Sequence, residues 1–160
     1  MDFNWVQKAN GRSLLFPLLR NLTYRGRKEE VVNLWMKLVG YMEENLGENR
    51  FSEVVNLPDS NNCTLLMYAC KQGSEEIVMF LLNWFEKINQ IDNQGRNCLD
   101  YAIDSQNEPI VNLILKTNDW QSVMSNAIMT KKVNNYYLLY LKMGGELLFR
   151  RIQYILASNL

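Results

Sequence analysis

Two stretches of this 160-residue chain superpose on each other without a gap, at a constant offset of 33 residues (92 − 59). Most of the matching residues are apolar, and they keep one register throughout. Such a period is typical of repeat proteins, in which each unit buries its apolar face against the next unit. The identical residues are Asp59 and Asp92, Leu66 and Leu99, Tyr68-Ala69 and Tyr101-Ala102, Glu75 and Glu108, Ile77-Val78 and Ile110-Val111, and Leu82 and Leu115.

The residue pattern of each unit predicts two short helices and a turn. In the first unit, the apolar residues of segment 65–70 recur three and four positions apart, as on one face of a helix. Gly73 and Ser74 then provide a helix stop and a cap, and segment 77–82 supplies the apolar face of a second helix. The polar segment 89–95, with an aspartate and a glycine, favours a tight hairpin. The pattern therefore predicts an all-α chain of stacked helix pairs.

This unit resembles the ankyrin repeat, whose pattern opens with Asp and Gly, continues T-P-L-H-x-A-A and ends I-V-x-x-L-L. Both units keep the Asp, the first-helix Leu and Ala, and the second-helix Val and Leu. In the family, the T-P and His residues stabilise the start of the first helix and link neighbouring units, so their loss implies a modestly stable pair. The departures are Asn62 for Gly, Leu65 for Pro and Met67 for His in the first unit, and Asn97 for Thr, Cys98 for Pro, Asp100 for His and Gln106 for the inter-helix Gly in the second.

Two units alone leave both flanks exposed, so the rest of the chain is expected to supply further units or caps. Upstream, segment 10–15 resembles a finger opening and segment 28–35 a second-helix opening that continues toward Leu46, with residues 23–27 inserted between them. The prediction is one ankyrin-repeat-like α-solenoid of about four helix pairs. It comprises a divergent repeat over 8–58, regular repeats over 59–91 and 92–122, and a degenerate repeat with a C-terminal cap over 123–160.

The composition argues against several functional classes. The chain has 17 basic and 17 acidic residues, whereas domains that bind phosphate backbones usually carry a basic excess, so nucleic acid is not the expected partner. It has no histidine, which removes the commonest general base and the commonest metal ligand. No nucleotide-binding or hydrolase motif is present. We therefore expect a protein that is not an enzyme, with no cofactor, metal or small-molecule substrate.

Cysteine usage and hydropathy predict where the chain works. The three cysteines are an odd number without the spacing of a disulfide framework, which indicates reduced thiols. The first ten residues lack the apolar stretch of a signal peptide, and no apolar run is long enough to cross a bilayer. We expect an intracellular, cytoplasmic protein without a membrane span.

The ankyrin resemblance implies binding through the finger tips and the exposed face of the first helices, which line a concave surface in this family. The residues at these positions mix amides with charges of both signs, which favours another protein as the partner. Trp120, in the polar segment 116–122, is a candidate exposed anchor because tryptophan is enriched at binding hot spots. The candidate contact residues are Arg12, Asn61, Cys63, Gln94 and Arg96 on the fingers, Arg20, Lys71, Gln72, Asp104 and Ser105 on the first helices, and Trp120. The alternative for each of these residues is an exposed position that contacts only solvent.

The function predicted from the sequence is a non-catalytic protein–protein interaction module. Two alternatives stay open. A structural subunit or assembly factor of a large complex would have its degenerate terminal units covered by permanent neighbours. A small regulator or effector would inhibit a partner enzyme through the same groove. The sequence does not separate these functions, because the fold fixes only the manner of binding.

Overall fold

The computed structural model of the chain describes residues 15–20, 28–85, 87–118 and 120–123, and the single positions 150, 153, 154 and 157. These residues are predominantly helical and include no β-strand, which confirms the predicted all-α repeat architecture. Most of the predicted unit over 123–160 and the insertion at 23–27 lie outside the described residues. The helices are α1 (Leu15–Arg20), α2 (Lys28–Leu46), α3 (Glu48–Asn56), α4 (Leu65–Gln72), α5 (Glu75–Leu82), α6 (Cys98–Asp104) and α7 (Glu108–Leu115).

The two regular repeats form matching helix pairs, α4 with α5 and α6 with α7. The paired helices start 33 residues apart (98 − 65 and 108 − 75), as the sequence register predicts. Helix α4 packs between α1 and α6, and α5 packs against α2 and α7. Ala69 and Ala102, which the superposition makes equivalent, are both fully buried in one continuous apolar core. The chain is therefore a stack of helix pairs joined through their aliphatic faces.

The first helix of each regular repeat begins at a reciprocal side-chain cap. Thr64 Oγ1 accepts the N–H of Met67 at 3.2 Å, and Met67 Sδ accepts the N–H of Thr64 at 3.4 Å. In the second repeat, Asn97 Oδ1 accepts the N–H groups of Leu99 and Asp100 at 3.0 and 3.1 Å. The carboxylate of Asp100 accepts the N–H of Asn97 at 2.9 Å. In both repeats, the residue that replaces the family's His completes the cap at the start of the first helix.

The N-terminal repeat has a long second helix. The buried residues Trp35, Val39 and Met42 recur three and four positions apart on α2 and give it one core face. This helix runs to Leu46, as predicted. The indole of Trp35 packs edge-on against Phe80 of α5, with ring centroids 5.7 Å apart. Trp35 therefore packs between the divergent repeat and the first regular repeat.

Helix α3 is an element that the sequence reasoning did not predict. Gly47, with a φ of 72°, turns the chain between α2 and α3. The buried ring of Phe51 then packs edge-on against Trp84, with centroids 4.7 Å apart, and Asn56 Nδ2 donates to the carbonyl of Trp84 at 2.9 Å. These contacts attach α3 to the end of α5.

Candidate interaction surface

Each regular repeat opens with a finger, a hairpin loop organised around one buried aspartate. In the first finger, Asp59 Oδ1 accepts the N–H groups of Asn61 and Cys63, both at 2.9 Å. In the second finger, Asp92 Oδ1 accepts the N–H groups of residues 94 and 96 at 2.8 and 2.9 Å. The backbone also closes each loop, since the N–H of the aspartate donates to the carbonyl four residues later. The two fingers therefore share one conformation, and it is fixed by the aspartates.

The fingers are joined to each other at their tips. The N–H of Asn93 donates to the carbonyl of Asn61 at 3.0 Å, and Asn62 Nδ2 donates to the carbonyl of Ile91 at 2.7 Å. Asn62 has a φ of 60° at the position that Gly95 occupies, with a φ of 72°, in the next finger. Asparagine tolerates this left-handed conformation better than most residues, so it replaces the family's turn glycine and adds a link between fingers.

A charged network stabilises the second finger. Arg96 Nε and Nη2 each lie 3.1 Å from Asp92 Oδ2, and the Tyr101 hydroxyl donates to the same oxygen at 2.7 Å. The guanidinium also lies over the Tyr101 ring, 4.3 Å from its centroid. Burial acts to raise the pKa of Asp92. The N–H groups of Arg96 and Gln94, the tyrosine hydroxyl and the guanidinium charge outweigh burial, so the pKa of this carboxyl is lower than its ordinary value. The side chain of Arg96 therefore stabilises the second finger through its contacts with Asp92 and Tyr101.

The prediction that Cys63 is an exposed finger-tip contact is wrong. Only 7 % of its surface is exposed, and its Sγ lies 3.5 Å from the hydroxyl oxygen of Tyr101 in the next repeat. Burial raises the pKa of the thiol, which favours its protonated form at neutral pH. Cys63 is therefore part of the packing between the two repeats.

The prediction that Trp120 is an exposed anchor is also wrong. Its exposed fraction is 8 %, and it lies in the helical segment 120–123, where Val123 is fully buried. The indole packs against the ring of Tyr154, with centroids 5.7 Å apart. The polar neighbours of Trp120 in the sequence suggested a loop, whereas its burial depends on contacts with distant parts of the chain.

The other predicted contact residues follow the finger and first-helix positions. Arg20, Asn61, Lys71, Gln94 and Asp104 are exposed, and Gln72, Arg96 and Ser105 are half-buried. Ser105 Oγ donates to the carbonyl of Ala102 at 2.8 Å, so its hydroxyl is engaged locally. Arg12 lies outside the described residues. Five of the predicted side chains are therefore open to solvent on the fingers and first helices.

Sequence reasoning missed several exposed apolar residues on the second helices. Leu34, Met36 and Tyr41 of α2 and Met79 of α5 are exposed although they are large and hydrophobic. The signal was available in part, because Leu34, Tyr41 and Met79 are not three or four residues from a buried position of the same helix. Leu34 and Tyr41 lie seven residues apart and therefore on one face of α2.

Comparison with protein families decides the identity of the repeats. A family model described as ankyrin repeats (3 copies) matches residues 24–124, more than half of the chain. The chain belongs to the ankyrin-repeat family. Ankyrin repeats are generally protein–protein interaction modules and are typically non-catalytic. Neither the curated proteins nor the solved structures that were compared with the chain gave a match.

In the described part of this ankyrin-repeat chain, none of the helices is both long and apolar enough to cross a bilayer. Within the same residues, no cluster of three or more Cys, Asp or Glu side chains is arranged to hold a metal ion.

Proposed function

We propose that this chain binds another protein through the concave surface formed by its finger tips and first helices. The observation that carries the proposal is the exposure of side chains at equivalent positions of consecutive repeats: Asn61 and Gln94 on the fingers, and Lys71 and Asp104 on the first helices. The backbone beneath them is fixed by the aspartate-centred loops and by the hydrogen bonds between fingers. A preformed surface loses little conformational entropy on binding, which favours affinity.

Exposed finger-tip residues provide the most direct test. The double variant Asn61→Arg with Gln94→Arg adds two bulky charges without removing any hydrogen bond of the finger backbone, because the backbone groups make those bonds. The matched control is Asn33→Arg with Asn83→Arg, two exposed residues of α2 and the end of α5. The 160-residue chain is used as bait in an extract of its native source. The partner retained by the wild type should be lost by the finger variant and kept by the control, with equal circular dichroism for all three.

Arg96 was also a predicted contact residue, but it is a poor position for this test. Replacing it by Glu would place a second carboxylate beside the buried Asp92, so any loss of binding would be confounded with loss of folding. Retention of the partner by the finger variant would overturn the proposal, because the fingers would then lie outside the interface.

A second function, a structural subunit of a larger complex, is favoured by the exposed apolar residues of α2 and α5. Leu34, Tyr41 and Met79 are each about half exposed, and a permanent neighbour would cover them. The variant Leu34→Glu with Met79→Glu tests it. If this function is correct, the variant loses the co-purifying complex while the finger variant keeps it. The opposite result favours the concave surface.

A further inference from the structure

The first helices carry a row of charges at one repeated position. Arg20 ends the last turn of α1, Lys71 lies in the last turn of α4, and Asp104 ends α6. Lys71 and Asp104 differ by the repeat offset of 33 (104 − 71), and Arg20 corresponds to them in the divergent repeat. All three side chains are exposed, and that of Asp104 is 67 % exposed. We call these three residues the first-helix row.

The charges of this row are not fully neutralised by the residues that the structure describes. Among the residues that the structure describes, no carboxylate lies within ion-pairing distance of Arg20 or Lys71. Asp104 lies 4.0 Å from Arg96, but Arg96 is already paired with the buried Asp92 at 3.1 Å. One guanidinium therefore faces two carboxylates, which leaves a net negative charge at the Asp104 end. Along α1, α4 and α6, the row reads positive, positive, negative.

We infer that the partner presents an extended segment with two acidic side chains and then a basic one, in register with the first-helix row. This inference rests on the proposed function and specifies the chemistry of the partner. Packed helices lie about 8–10 Å apart, and an extended chain advances about 3.3 Å per residue, so the partner charges are about three residues apart. The expected segment is acid-x-x-acid-x-x-base.

An extended segment fits this surface better than a helical one. The backbone N–H and C=O groups of an extended segment need partners, and Asn61 and Gln94 expose amide side chains on adjacent fingers that supply both donors and acceptors. A helix satisfies its own backbone and would leave these amides without a role. A nucleic acid strand is disfavoured because its phosphates are uniformly negative, whereas Asp104 repels them.

A random peptide display library selected on the full chain tests the inference. Selected peptides should be enriched in acid-x-x-acid-x-x-base sequences. A synthetic peptide of this order should bind about tenfold more tightly, by fluorescence anisotropy, than one of identical composition ordered acid-x-x-base-x-x-acid. Lys71→Glu should abolish this preference, because each peptide then matches the row at two positions and is repelled at the third. Asp104→Lys should abolish the preference for the same reason, and it is the second variant in case Lys71→Glu changes the circular dichroism.

The outcomes separate the inference from the proposed function. Peptides that lack the charge order but are lost by the Asn61→Arg, Gln94→Arg variant would overturn the inference and leave the function intact. Selected peptides that still bind this finger variant would count against both the inference and the proposed function. A selection that enriches no sequence would count against both as well. Displacement of the matched peptide by an equimolar single-stranded RNA oligomer would overturn the inference in favour of nucleic acid.

Discussion

Gln106 occupies a position where the ankyrin pattern has glycine, and it adopts the backbone that glycine favours. Its φ is 54°, against 67° for the equivalent Gly73 in the preceding repeat. An L residue with a Cβ is strained in this region. We therefore expect Gln106→Gly to raise the free energy of unfolding by about 0.5–1 kcal/mol, as measured by urea denaturation.

The converse substitution is the control for Gln106→Gly. Gly73→Ala should destabilise the chain by about 1–2 kcal/mol, because it adds strain and places a Cβ 3.3 Å from Asn107 Nδ2. If Gln106→Gly lowered stability as well, the left-handed backbone at 106 would not be the source of strain.

Asp92 links the stability of the second finger to pH. Its pKa is lowered in the folded chain, so its contribution is complete above the unfolded-state pKa of about 3.9 and is lost as the pH falls through the folded pKa. We expect Asp92→Asn to cost about 1–2 kcal/mol at pH 7, because the pair with Arg96 and the hydrogen bond from Tyr101 are weakened. Urea denaturation from pH 7 to pH 3 should show the difference between wild type and variant narrowing toward acid. Parallel curves would show that this carboxylate is not the group that titrates.

At the scale of elements, the side chain of Asn97 has two structural roles. The repeat pattern in the sequence indicates only the first of them. Its Oδ1 caps α6, while its Nδ2 donates to the carbonyl of Val123 at 2.7 Å and ties the second repeat to the segment that follows. Asn97→Ala should cost about 2–3 kcal/mol, since it removes both. Asn97→Thr restores the family's residue, keeps the cap and removes only the link to Val123, at a cost of about 1 kcal/mol.

Thermal and urea unfolding of both Asn97 variants check this separation, with Thr64→Ala as a reference for loss of a cap without the link. Thr64→Ala is expected to cost about 1 kcal/mol. If Asn97→Thr were as stable as the wild type, the bond to Val123 would contribute nothing to folding.

The elements also show which parts of the molecule a sequence can predict. The helices of the regular repeats follow from caps and apolar spacing, which are local signals, so both helix pairs and the finger loops were predicted. The burial of Cys63 depends on Tyr101, 38 residues away, and that of Trp120 depends on Tyr154. In both cases, the polar neighbours in the sequence wrongly suggested that the side chain is exposed. Helix α3 was missed because the ankyrin pattern has no element there, although Phe51, Val54 and Val55 carry helical spacing.

At the scale of the whole molecule, α4 is the central helix of the described stack. It contacts α1, α5 and α6, whereas α1 is a short helix that contacts α2 and α4. In a repeat protein, stability is approximately the sum of each unit and its interfaces with its neighbours. The first-helix row spans α1, α4 and α6, so the order of the bound charges depends on all three helices staying docked.

This dependence on neighbours predicts an unequal response to two equivalent core cavities. Leu66→Ala in α4 and Leu15→Ala in α1 each truncate a fully buried leucine and should cost about 2–5 kcal/mol of local or global stability. In native-state amide hydrogen exchange, Leu66→Ala should lower protection throughout α1, α4 and α6, because it disrupts both interfaces of the central helix. Leu15→Ala should lower protection in α1 and leave most of that in α6, because α6 keeps its contact with α4. An equal loss in α6 from both variants would mean that the repeats unfold as one cooperative unit, and the binding surface would then be lost as a whole instead of fraying from α1.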